Sequence, residues 1–169
     1  VIFVGDCEVY ENISPITLWT KHGITSYIRG SAQQLIWQSY YILEDTFRYE
    51  KPDVVIYNVQ SMIYGEPQSE AYNRMTLDGM KFSSSKIKAI NASMTEDESF
   101  ASYIFPILRY HSRWSELSQE DIKYLFKKDT VSHNGYLMQT AMRPMETLPA
   151  VKPLDDYTLP KISFEYLNK

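Results

Sequence analysis

The chain begins VIFVGDCEVYENISP, where four apolar residues run straight into Gly5-Asp6-Cys7-Glu8. A buried strand that stops on glycine and presents a small polar residue at the next turn is how many α/β enzymes expose a nucleophile. Here the nucleophile is the thiol of Cys7. A thiolate can take an acyl group from an ester when hydrogen-bond donors wait where the carbonyl oxygen becomes an oxyanion. The amino end of a helix favours a thiolate, whereas the charge of Asp6 beside it works against one. Cys7 is the single cysteine of the chain, so neither an internal disulfide framework nor a cysteine-based zinc site is open to it.

A base for such a thiol would be sought among three histidines. His22 ends a helical stretch just before Gly23, where its charge suits the helix dipole. His133, in DTVSHNG, sits at a turn. His111, in RYHSRW, stands with Arg109, Arg113 and Trp114, a group able to grip a carboxylate, a phosphate or a sugar, or to pack a loop as a structural network. A Cys7/His111 pair is open to geometry. No His/Asp/Glu spacing forms a metal-ligand set, and no cofactor is expected.

The elements that must position these residues alternate. Val1–Val4 reads as a strand. Ser14 caps a short helix Pro15–His22 that closes on Gly23. ITSYIRG is a second strand ending on Gly30. SAQQLIWQSYYILEDTFRYEKP carries Leu35, Ile36, Tyr40, Leu43 and Phe47 near helical spacing, before Pro52 forbids continuation. DVVIYNVQ is a third strand, apolar through its first half as a central parallel strand would be. Strand, helix, strand, helix, strand within 60 residues predicts βαβ units and a parallel sheet.

After Gln60 the chain turns polar. It predicts a surface excursion with a short helix at Glu70–Leu77, the start of a helical insertion over about 65–128 in one domain of 169 residues. Helical spacing returns from Ser84. Thr95 with Glu98, and Ser118 with Asp121, have the pattern of capping boxes at two further helix starts, and Pro106 would kink or end the first of these helices. Residues 129–160 read as an extended segment with an edge strand at Tyr136–Thr140, and ISFEYLNK begins a last helix.

Composition narrows the partners. Lys and Arg number 17 against 21 Asp and Glu, a net charge of −4, and the basic residues are scattered, so no nucleic-acid footprint is present. No apolar run approaches the roughly 20 residues that span a bilayer.

The segments FVGDCEVYENISPITLW, GITSYIRGSAQQLIWQSYYIL, KPDVVIYNVQSMIYG and FPILRYHSRWSEL, in this order, resemble the first blocks of the SGNH (GDSL-like) hydrolase superfamily. The likeness is to bacterial, largely clostridial, SGNH-like proteins, and more distantly to the D-alanyl transfer protein of teichoic acid modification and the alginate O-acetyltransferases. It implies an α/β fold, a flavodoxin-like or SGNH-type three-layer sandwich with a mainly parallel sheet. It places Cys7 at the nucleophile position, with the backbone amides of Cys7 and Gly30 as oxyanion donors. Asn58 or Gln60 supplies the side-chain donor, with Asn58 slightly favoured. Asp6, Gln33, Gln60, His111 and Arg113 complete the expected substrate-binding set.

Two departures stand out. Cys7 replaces the family's serine, and the Asp-x-x-His motif that supplies base and orienting acid does not occur in the chain. A common explanation is that the chain is an N-terminal part of a longer protein, its sheet incomplete at the C-terminus and open to homodimer formation through one edge. The resemblance implies an esterase or O-acyltransferase acting on an acylated polysaccharide or cell-envelope polymer, extracytoplasmic and often membrane-anchored in the full-length protein. The alternative is a non-catalytic glycan- or anion-binding module on the same fold.

Overall fold

The computed structural model describes residues 1–126, 133–138 and 158–169; the side chains of Arg113, Trp114, Glu120, Tyr124, Leu125 and Phe126 also fall outside that description. A continuous apolar run needs cover on both faces. Strand β1, Ile2–Gly5, is buried at every residue and lies at the centre of a parallel sheet with β2, Tyr27–Gly30, and β3, Val55–Tyr57. The order is β2-β1-β3 among the described residues. Gly5 stands opposite Gly30, and Val4 stands opposite both Arg29 and Tyr57.

This order corrects the reading of DVVIYNVQ as a central strand. β3 is an edge strand among the described residues, and Val54 and Ile56 are 47% and 43% exposed. Apolar composition alone does not locate a strand within a sheet. The two crossovers do, because the chain leaves β1 for β2 on one side and then passes back over β1 to β3.

Helices cover both faces. On one, Phe3 and Ile28 pack with Val9 of α1, Cys7–Asn12, and with Leu18 of α2, Pro15–His22. Ser14 Oγ accepts from Thr17 N at 3.3 Å at the start of α2, and Gly23 closes it in the left-handed region at φ 66°. The other face is covered by α3, Ile36–Thr46, whose Ile36 and Trp37 join Leu35, Met62 and Tyr57 in one cluster. A 3-10 helix, Val59–Ile63, follows β3.

Behind α3 lies a further layer. It is made of α4, Glu70–Leu77; α5, Ser84–Ser93; and α6, Phe100–Ile104. Leu77, Met80, Ala89, Ile90 and Tyr103 pack there against Ile42 of α3. The surface excursion expected after Gln60 is thus core at α4. Its polar composition misled because its amides are themselves buried: Gln38 Nε2 donates to Asn73 Oδ1 at 2.9 Å, and Asn73 Nδ2 donates to the Ser93 carbonyl at 2.7 Å.

Pro106 separates α6 from α7, Ile107–Tyr110, which runs into a 3-10 helix, His111–Glu116. Thr95 Oγ1 does donate to Glu98, at 2.8 Å, but in the loop before α6, whose N-cap is Ser99. The pair is therefore no capping box; Glu98 instead accepts from the Tyr103 hydroxyl inside the helical layer. The second box is present, with Ser118 N donating to Asp121 at 2.9 Å and Asp121 N to Ser118 Oγ at 3.3 Å, before α8, Gln119–Phe126.

Of the expected edge strand Tyr136–Thr140, residues 136–138 are not strand, and the last two lie outside the described residues, as does most of the extended segment 129–160. A turn at 133–135 instead lies along the outer side of β2, where Ile28 N donates to the Asn134 carbonyl at 2.9 Å. The last helix, α9, is Lys161–Leu167 and packs on α3 through Ile162 and Tyr166. No helix among the described residues is long and apolar enough to cross a membrane.

Candidate active site

Parallel strands bring their carboxyl ends to one edge of the sheet, and a crevice opens where successive crossovers leave on opposite sides of one strand. Here that strand is β1. Gly5, Gly30 and Asn58 meet at its end. Gly5 has φ 149°, and a Cβ there would stand 2.6 Å from Cβ of Asn58. Gly30 is held to glycine by crowding, since a Cβ would meet Val9 Cγ2 at 2.8 Å and the Gly5 carbonyl oxygen at 3.0 Å.

Asp6 follows Gly5 and is 2% exposed. Its carboxylate accepts from Glu8 N at 3.2 Å and so caps α1, while burial pushes its pKa up. The structure uses Asp6 to hold the turn, and a buried cap is poorly placed for the substrate contact expected of it. Cys7 comes next, partly exposed. Burial pushes its thiol up, and the carboxylates of Asp6, Glu11 and Glu8 push the same way. The thiolate-favouring effect of the helix end is outweighed, because α1 is only six residues long and two of them are the acids Glu8 and Glu11.

Asn58 and Gln60 differ in how firmly their side chains are held. Asn58 N donates to the Val4 carbonyl at 2.9 Å, which continues the β3 ladder to the end of β1. Its side-chain Oδ1 accepts from Gln60 N at 2.6 Å, and its Nδ2 donates to Glu8 Oε2 at 2.9 Å. Gln60 contributes its main chain to this turn and has an exposed side chain. Asn58 is therefore the amide fixed over Gly5.

Phenols surround the turn. Burial raises the pKa of Tyr10, with Cys7 the next cause, and burial raises that of Tyr64, followed by Asp6 and Cys7; Tyr72 acts on both. Burial pushes Tyr57 up to about 12, and its hydroxyl shares a short hydrogen bond with Ser61 Oγ. The sequence shows many tyrosines but not this collar. Its trace is the position of Tyr10, three residues after Cys7 on α1, and the bracketing of the Asn58 turn by Tyr57 and Tyr64. A cleft of about 370 Å³ opens beside Tyr57, between α3 and α9, walled by Tyr40, Phe47 and Tyr166.

The loop after β2 supplies Gln33, which is partly buried and takes φ 50°, a left-handed conformation that few residues other than glycine adopt. Its neighbour Gln34 holds the loop. Gln34 is 1% exposed and donates to the Arg29 carbonyl at 3.1 Å and to Ser39 Oγ at 2.9 Å, while Ser31 Oγ donates to its Oε1 at 3.2 Å. Reading the sequence missed Gln34; an amide opening a helix beside Ser39 was the available signal.

The RYHSRW segment is tied to α4 through Arg109. Arg109 Nε pairs with Glu70 at 3.0 Å, and Glu70 also holds the buried Arg74 at 2.8 Å. His111 is exposed, its Nδ1 bonded to the Leu108 carbonyl at 2.9 Å, and Arg113 lies in the adjoining 3-10 helix. The charges that act most strongly on Cys7 are carboxylates rather than an imidazole. His22 is exposed at the end of α2, and His133 begins the turn against β2. Among the described residues, no three His, Cys, Asp or Glu side chains are grouped so as to hold a metal ion. No protein-family model matches the chain, and no curated protein or solved structure matches it either.

Proposed function

We propose that the chain is an SGNH-like esterase or O-acyltransferase domain, its sheet and helical layers part of the three-layer sandwich of that superfamily, with Cys7 as the acyl acceptor. One observation carries the reading: the turn that follows Gly5 carries Cys7, and the Asn58 amide packed against Gly5 has its orientation fixed from both ends. Sγ attacks the ester carbonyl carbon, the bond to the alkoxide oxygen breaks, and the thiol proton, taken by a base, ends on the departing alcohol. The thioester is then cleaved by water or by a second hydroxyl, which returns Cys7 to the thiol. The backbone amides of Cys7 and Gly30 and the side chain of Asn58 hold the oxyanion. An O-acylated cell-envelope or extracellular polysaccharide is the substrate class that goes with this reading, and an extracytoplasmic location goes with that substrate.

The raised thiol favours a second reading, a non-catalytic module that binds a glycan at the same edge. Asp6, Glu8 and Glu11 would repel an anion there, so the ligand of this reading is a neutral sugar presented to the tyrosine collar. Incubation with p-nitrophenyl acetate above neutral pH, followed by intact-protein and peptide mass spectrometry, decides between them. An acetyl group on Cys7 that is absent from Cys7→Ala supports acyl transfer. Labelling that is the same in both proteins removes covalent catalysis and leaves the glycan module.

A further inference from the structure

Resting on the acyl-transfer reading, we propose that Glu8 is a positioning residue: it holds one N–H of the Asn58 amide so that the other is presented toward an acyl group on Cys7. An asparagine amide has a broad, roughly two-fold terminal torsion, and its oxygen and nitrogen exchange places on a half turn. Turned the wrong way, Asn58 would offer a lone pair to a developing oxyanion and repel it.

Two neighbours remove that choice. The Gln60 main-chain N–H can only donate, so the atom 2.6 Å from it is Oδ1. The Glu8 carboxylate can only accept, so the atom 2.9 Å from it is Nδ2. Both demand the same orientation, and the second bond is charge-assisted. A primary amide nitrogen has two hydrogens, and Glu8 takes one. Packing fixes the rest of the side chain, because Cβ of Asn58 occupies the place a Cβ on residue 5 would need. Glu8 also directly follows Cys7 on α1, so nucleophile and positioning residue move as one piece.

The carboxylate of Glu8 has a second, opposite effect, since it helps keep the Cys7 thiol protonated. That opposition makes the proposal testable. The Cys7-dependent burst of p-nitrophenolate from p-nitrophenyl acetate, corrected with Cys7→Ala, is measured beside the rate of Cys7 alkylation by iodoacetamide. Asn58→Ala is expected to slow the burst about 100-fold, the loss typical of one oxyanion donor. Glu8→Ala is expected to slow it about 10-fold while alkylation stays as fast or becomes faster, and Glu8→Gln, whose amide oxygen still accepts, keeps most of the rate. Glu8→Ala combined with Asn58→Ala is expected to be no slower than Asn58→Ala alone. A Glu8→Ala burst as fast as wild type, or losses that add in the double variant, overturns the role of Glu8 while acylation of Cys7 stands. A burst unchanged in Cys7→Ala overturns the acyl-transfer reading, and the role of Glu8 with it.

Discussion

Behind α3 the buried amides, Trp37 and Arg74 answer one another, whereas at the carboxyl edge of the sheet Cys7 and the Asn58–Glu8 pair reach toward solvent. In the helical layer Gln38 binds Asn73, Asn73 binds the Ser93 carbonyl, and Trp37 Nε1 donates to Ser93 Oγ at 3.1 Å. Arg74 is held by Glu70 and by Ser102 Oγ at 2.6 Å, its guanidinium 4.3 Å from the centre of the Tyr103 ring. Satisfied networks of this kind fix one packing and leave nothing for a ligand. At the sheet edge the Asn58–Glu8 bond is exposed, Cys7 is partly exposed, and Gly5 and Gln33 have positive φ. Positive backbone torsions collect where a site would be, and the hydrogen bond between the Ser31 and Thr76 hydroxyls ties the loop that carries Gln33 to α4.

Damage to the saturated region should cost the most stability. Trp37 is fully buried, and Trp37→Ala both opens a cavity and strands Ser93 Oγ, so a loss of about 3–5 kcal/mol is expected in urea unfolding. Gly5→Ala tests the other region, with a smaller expected loss of about 1–3 kcal/mol for a side chain forced to positive φ. Its effect on the site should be disproportionate, because the new Cβ displaces Asn58 and the Cys7-dependent burst should vanish. If Gly5→Ala unfolds the protein as severely as Trp37→Ala, the division into a stabilising layer and a strained edge is wrong.

Electrostatics at the edge gives a gentler test. The thiol of Cys7 is raised by burial and then by Asp6, so half-maximal alkylation of the native protein should lie above the ordinary thiol value of about 8.5. Asp6→Asn removes that neighbouring charge and keeps a good N-cap, so the alkylation profile should move to lower pH. Because burial raises the Asp6 carboxyl above its unfolded value, its ionisation costs the fold, and the variant should lose little stability at neutral pH. A profile that stays in place would mean that burial, with Glu11 and Glu8, sets the thiol without Asp6.

What could be read beforehand follows the range of the interactions. Helix Pro15–His22 was legible residue by residue, because a serine cap, a proline and a terminal glycine are local signals, and proline and glycine punctuation marked out the short helix around Glu70–Leu77. The parallel sheet was legible from the alternation of apolar runs and amphipathic stretches, whereas the grouping of Cys7, Gly30 and Asn58 was expected from the family resemblance alone. The partner of Asn58 was not, since Glu8 lies 50 residues away and its carboxylate looked like any surface acid. The burial of α4 was hidden for the same reason, because Asn73 reads as polar until Gln38 is known to face it. The acid on the far side of the thiol, Glu11, follows from helical spacing, but only once α1 is recognised as a helix.

The smallest expected effect comes from a lysine in the saturated layer that has too few partners for its charge. Lys86, near the start of α5, is 8% exposed, and its Nζ donates to the Met80 carbonyl at 3.1 Å. Burial lowers its pKa, and Asp78 only partly opposes this. With the folded value below the unfolded value of about 10.4, the native protein releases this proton first. Between those two values the unfolded chain therefore binds more protons, and stability from this group rises with pH until the unfolded lysine also titrates. Buried tyrosines act in the opposite sense above about pH 10, because the native state holds their protons longer than the unfolded chain does. Comparing urea unfolding of wild type and Lys86→Met across the alkaline range isolates the lysine, since the tyrosines are common to both. The wild type should gain on the variant as pH rises. A constant difference would show that the ammonium is as well satisfied as the Arg74 guanidinium, which Glu70 and Ser102 hold.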